Sequence, residues 1–187
     1  ENKKYLWEKM SAFYGFYGAK YEPLELRDSY RRLCEAEGKK IKDVEWAEIQ
    51  IEDVFYALFK EKGVKATKEL AIHAGQMFRI VSTKYIKLYD GVIDFLTELK
   101  EKGKKVYLLS NAQEIFTVPE MKMLGIYDYF DGIVISSSEN CKKPDKKFYE
   151  IVINKYNLNK KESIMIGNDC ITDIKGAYDA NLDSLYI

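Results

Sequence analysis

Cysteine, histidine and net charge are all scarce in this 187-residue chain, and each scarcity excludes something. Its three cysteines, Cys34, Cys141 and Cys170, are an odd number without Cys-x-x-Cys or Cys-x-x-His spacing. That argues against a disulfide frame or structural zinc and for free thiols in a reducing compartment. A single histidine, His73, sits beside Ala71, Ile72 and Ala74 on a helical stretch. A Ser-His-Asp triad would depend on it alone, and its setting reads as packing or surface. Thirty basic residues balance thirty acidic ones, so there is no global positive field to hold a phosphate backbone, and nucleic acid is not the expected partner. No apolar run approaches the roughly 18 residues of a spanning helix, and Glu1 to Lys9 lacks the pattern of a secretory signal. The expectation is a soluble, cytoplasmic protein without membrane contact, its oligomeric state left open.

What is present is a globular composition. Apolar residues at 47% and charged residues at 32% are too rich in core-forming side chains for disorder. At roughly 100 to 200 residues per domain, the length allows one core with a small accessory unit.

The chain has two textures. Through Thr83, apolar residues recur at three and four, as in Tyr5, Met10, Phe13, Phe16 and Tyr17, then Leu26, Tyr30, Leu33 and Cys34. Glu22-Pro23 opens a second helix and Gly38 closes it; a third runs from Val44 to Lys62 before Gly63, and Thr67 caps a fourth. Residues 1–83 are expected to form an all-helical unit. Residues 84–187 alternate short strands with helices: strands at Val106 to Leu109, Ile133 to Ile135, Ser163 to Ile166 and Ser184 to Ile187, helices at Gly91 to Lys102, Val118 to Leu124, Lys146 to Tyr156 and Asp173 to Ala180. Repeated βα units of this length predict an α/β fold, a Rossmann-like parallel sheet in a three-layer α/β/α core. Ligands of such sheets sit beyond the carboxyl ends of the strands.

Those ends carry chemistry. Ser110-Asn111 follows the first strand, Lys142-Lys143-Pro144-Asp145 the second, and Gly167-Asn168-Asp169, with Asp173 four residues on, the third. A hydroxyl, an amide, an ammonium and two carboxylates on one rim suit a phosphoryl group and Mg²⁺, which favours hard oxygen ligands. Phosphoryl transfer needs little beyond such positioning and charge neutralisation. Taken singly, each residue has a plainer reading: a helix cap, a first-turn acid, a solvated lysine.

As an ordered set, Leu-Leu-Ser110-Asn111, Lys143-Pro144-Asp145 and the stretch from Gly167 to Ala177 resemble the second, third and fourth motifs of the haloacid dehalogenase superfamily, mostly magnesium-dependent phosphatases. The helical residues 1–83 resemble the cap that many members insert after their first strand. The resemblance implies that Ser110 bonds the phosphoryl group, Asn111 helps to orient it, and Lys143 offsets negative charge. It also implies that Asp169 and Asp173, with Asn168 standing where Gly-Asp is common, hold Mg²⁺ directly or through water. Asn140 replaces a frequent glycine and tolerates the same left-handed backbone. The implied function is hydrolysis of a small phosphorylated metabolite through an aspartyl-phosphate.

The Asp-x-Asp motif that supplies the family's nucleophile occurs nowhere in these 187 residues. The expectation is that it lies on a strand upstream of Glu1 and that the sequence is a fragment. Two rivals keep the fold: a metal-free 2-haloacid dehalogenase and a non-catalytic binding module. Tyr14, Phe16, Tyr17 and Tyr21 are expected to pack rather than to face a substrate, Gly15 and Gly18 to serve as hinge or packing positions, and Cys170 to fill space.

Overall fold

The computed structural model describes residues 2–187, with side chains from residue 4. It divides into two compact units. The first takes the chain up to Lys42, Ile49–Leu88 and Ile115–Leu124; the second takes Asp43–Glu48, Tyr89–Glu114 and Gly125–Ile187. No helix of the described residues is long and apolar enough to cross a membrane.

Four helices make most of the first unit: α1 (Asn2–Phe16), α2 (Pro23–Gly38), α3 (Ile51–Glu61) and α4 (Lys68–Ser82). Their inward stripes bury Met10, Tyr14, Leu26, Val54, Phe55, Leu58, Phe59, Ala71 and Ala74. The burial of phenol rings is tolerated because each hydroxyl finds a backbone acceptor. Tyr14 donates to Phe55 O at 3.0 Å and Tyr21 to Leu58 O at 2.7 Å. Tyr14 and Tyr21 therefore pack as expected, whereas Phe16 and Tyr17 are exposed. Thr67 caps α4, its hydroxyl accepting from Leu70 N at 3.1 Å. Gly15 lies within α1, and Gly18 takes the left-handed backbone that ends the following turn.

The third helix is shorter than its periodicity implied. Val44 to Gln50 is not helical, and α3 begins at Ile51. Asp43, with φ +61°, leaves the helical region, and the backbone beyond it finds partners elsewhere. Trp46 O accepts from Lys142 N at 2.9 Å and Glu48 N donates to Asn140 O at 3.3 Å, on either side of an antiparallel Ala47–Cys141 bridge. These bonds satisfy groups that a helix would otherwise have satisfied internally.

In the second unit α5 (Val92–Glu101) leads to β1 (Tyr107–Ser110); α6 (Glu114–Met123) belongs to the first unit from Ile115 on, and β2 (Gly132–Ile135) to the second again. A short turn, α7 (Ser136–Glu139), precedes α8 (Lys146–Lys155); β3 (Ile164–Gly167), a π-helical turn (Cys170–Lys175), α9 (Gly176–Asp179) and β4 (Asp183–Tyr186) complete it. β1 pairs in parallel with β2, and β3 with β4. Among the described residues no ladder joins the two pairs. Side chains unite them instead. Phe148, Tyr149, Val152 and Ile153 of α8 share one buried cluster with Leu109 of β1, Val134 of β2 and Ala177 of α9, and Met165 of β3 packs against it.

Candidate active site

The loop after β2 is tied to the loop after β1 by Ser136 and Ser137, whose hydroxyls accept from Ala112 N and Glu114 N at 2.9 Å, and by Asn111. Asn111 donates through Nδ2 to Lys143 O at 2.9 Å and accepts from Lys143 N at 2.8 Å through Oδ1. Its amide grips the lysine's main chain, a fixed two-point contact. Asn140 holds a left-handed backbone, φ +55°, as its loop position required. Ser110 is half-buried at the end of β1, next to Asn111.

Held this way, Lys143 is only 8% exposed, and its ammonium lies 2.6 Å from Asp173 Oδ1. The other oxygen, Asp173 Oδ2, accepts from Asn168 N and Asp169 N, each at 3.1 Å. Asp173 is itself 5% exposed. A buried carboxylate is tolerated when charge and donors meet it, and here both kinds do. Gly167 permits the approach: a methyl group there would stand 2.4 Å from Asp173 Cγ.

The turn bearing Asp173 winds wide. Asp169 O accepts from Asp173 N and also from Ile174 N, five residues on, which makes it π-helical. Asp169 caps this turn, its Oδ1 accepting from Ile171 N at 2.9 Å and Thr172 N at 2.6 Å. Donation from the Thr172 amide, aided by its hydroxyl and the Ile171 amide, holds the exposed Asp169 carboxyl below its ordinary value. Asn168 is exposed beside it.

The structure thus brings together Asn111, Lys143, Asp173 and the backbone of Asn168 and Asp169. No group of three His, Cys, Asp or Glu side chains converges among the described residues. Cys170 is exposed, which corrects the space-filling expectation; a residue capped by Asp169 at the start of the turn has no core to fill. His73 lies exposed on α4.

Sequence reasoning missed two contributors. Tyr149, fully buried on α8, donates its hydroxyl toward Thr172 O at 2.5 Å and Asp173 O at 3.1 Å, bracing the π-helical turn from beneath. Desolvation, with the nearby Asp173 charge, pushes its phenol well above the ordinary range, so it remains a donor. The second is Glu48, whose carboxylate gathers Gln113, Ser136 and Lys142. No local pattern marks either one; Tyr149 reads as one more aromatic on a helix face and Glu48 as one acid among thirty acidic residues.

The sequence model of the haloacid dehalogenase-like hydrolases matches residues 28–187. The chain belongs to this family. Among its relatives are the glyceraldehyde 3-phosphate phosphatase of Methanothermobacter thermautotrophicus, 26% identical over 121 residues, which are 64% of this chain and 54% of that protein. The phosphoglycolate phosphatase of Nitrosococcus oceani is 33% identical over 100 residues, 54% of this chain and 44% of that protein. The chain therefore spans about half the length of these haloacid dehalogenase-like relatives. The fold is shared with the HAD-hydrolase YfnB of Bacillus subtilis, solved bound to magnesium, at a TM-score of 0.56 and 23% identity over 87% of this chain and 70% of that one. That likeness agrees with the expected α/β core and helical cap.

Proposed function

We propose that the protein is a magnesium-dependent phosphatase of a small phosphomonoester, working through an aspartyl-phosphate. One observation carries the reading: a nearly buried Lys143 ammonium, oriented by Asn111 and Asp173, stands between the loops that follow β2 and β3. A point charge fixed there meets the requirement of phosphoryl transfer for neutralisation without reorganisation. The phosphatase names of the relatives support the same chemistry.

In this reading an aspartate of the family's first motif, which is not among these residues, attacks phosphorus. A phosphorus–carboxylate bond forms as the ester oxygen departs with a proton, and water then releases phosphate. Lys143 offsets the charge on nucleophile and phosphate, Ser110 bonds a phosphoryl oxygen, and Asn111 orients the site through the lysine it holds. The residues present fit magnesium, which needs only one or two carboxylates beside waters and substrate oxygens. Asp169, kept ionised by amide donors, and Asn168 would hold it, and Asp173 would reach it through water. When bound it neutralises phosphoryl oxygens. The magnesium bound in YfnB supports the choice of metal.

The test is phosphate release from a panel of sugar and nucleotide monophosphates by full-length protein, with and without chelator. Release that stops with chelator and falls by orders of magnitude in Lys143→Ala supports the reading. No release from any ester would overturn it, and full release in chelator would overturn the metal requirement.

A further inference from the structure

Two lysines stand side by side at the site, and something must choose between them. Lys142 and Lys143 follow Cys141, which is bridged to Ala47. Cys141 holds the bridge and Lys143 opens the turn that follows, so a slip of one residue in the bridge would exchange the places of the two ammonium groups. Each has its own carboxylate: Lys143 meets Asp173 at 2.6 Å and Lys142 meets Glu48 at 3.5 Å. Glu48, its side chain 18% exposed, also accepts from Gln113 at 3.3 Å and lies 3.4 Å from the Ser136 hydroxyl, whose shorter acceptor is Ala112 O at 3.1 Å. These contacts are individually long; their convergence is the point. Gln113 belongs to the loop after β1, and Ser136 and Lys142 bracket the loop after β2. One carboxylate therefore touches both loops whose spacing, through Asn111, sets Lys143. The backbone bonds from Trp46 and Glu48 to Lys142 and Asn140 pin the same stretch.

We infer that Glu48 is a positioning residue: with the Ala47–Cys141 bridge it forms a clasp that fixes the register of Lys142 and Lys143 and so directs Lys143 to Asp173. The consequence for catalysis rests on the phosphatase reading above; the clasp itself does not.

Cys141 reports the clasp directly, because it is itself a residue of the bridge and its side chain is fully buried in the cluster with Phe148 and Tyr149. In full-length protein carrying Cys34→Ser and Cys170→Ser, Glu48→Ala and Glu48→Lys are expected to raise the rate of Cys141 labelling by a thiol reagent about tenfold, as local opening exposes it. Adding Lys142→Glu to Glu48→Lys restores the pair with its charges exchanged and returns labelling to within about threefold of the parent. Where the parent hydrolyses phosphomonoesters, Glu48→Ala lowers kcat about tenfold with KM changed less than about twofold, and Glu48→Gln recovers most of the loss. Labelling unchanged by Glu48→Ala, or no restoration by the charge exchange, overturns the clasp. Faster labelling with unchanged kcat overturns its positioning of Lys143. A parent inactive on every ester overturns the phosphatase reading alone, and labelling still decides the clasp.

Discussion

Replacing Gly167 by alanine should unseat the site without touching any charged group. The new methyl carbon would lie 2.4 Å from Asp173 Cγ and Oδ2 and 2.5 Å from its Cβ, where ordinary contact begins at 3.4 Å. Asp173 must recede by about 1 Å, because the strand bearing the new methyl is held by its ladder to β4. That displacement stretches the 2.6 Å bond from Lys143 and both 3.1 Å bonds from Asn168 N and Asp169 N. Hydrogen bonds to a charged group contribute about 1.5–3 kcal/mol each, and breaking one side of a buried ion pair costs about 3–5 kcal/mol. Lower backbone entropy of the unfolded alanine chain returns about 0.4–1 kcal/mol. A net loss of about 3 kcal/mol is expected. Urea unfolding measures it, read by Trp46 in a Trp7→Phe background so that the single indole belongs to the second unit. In an Asp173→Gly background all three of those close neighbours are gone, and the same change should cost less than about 1 kcal/mol. A loss below about 1 kcal/mol in the parent, or an equal loss in both backgrounds, would refute the steric argument.

Other consequences are simpler. Tyr149→Phe removes the donor beneath Thr172 O and Asp173 O and should cost about 1 kcal/mol in urea unfolding, with faster amide exchange confined to the turn at 170–175. Thr67→Ala, which deletes the α4 cap, should lower stability by about 1 kcal/mol, and Thr67→Asn should not. Asp131 accepts from Lys100, from Val106 N and from Lys105, which together hold its carboxyl far below the ordinary range. A depressed folded value gives stability that is present above the unfolded value, near pH 4, and lost as pH falls toward the folded one. Asp131→Asn should therefore cost up to about 1 kcal/mol at pH 7, limited by the exposure of the lysines, with the gap closing below about pH 4. A gap that widens in acid would contradict the assignment.

Much of this was legible in the sequence, and the limits have physical causes. Each expected strand from Val106 onward lies within a residue or two of an observed one, because short β-branched runs between turn signals have few alternatives. Lys143 and Asp173 could be named from their places after successive strands. Their bond to one another could not, since it depends on a loop held by Asn111 and a turn wound by five-residue hydrogen bonds. Asn111 shows the same limit: the residue was identified, but its amide is turned to the lysine's main chain. Val44 to Gln50 has helical composition, and long-range partners at Asn140 and Lys142 outweighed that local preference.

Among the described residues, α8 is the element whose side chains reach both strand pairs of the second unit. Parallel ribbons of four residues a strand are too small to persist alone, and no backbone bond passes from one ladder to the other among the described residues. Cohesion there passes through Phe148, Tyr149, Val152 and Ile153. A cavity cut at Phe148 would loosen α8 from β1, β2 and α9 at once, as a worn axle loosens every wheel it carries.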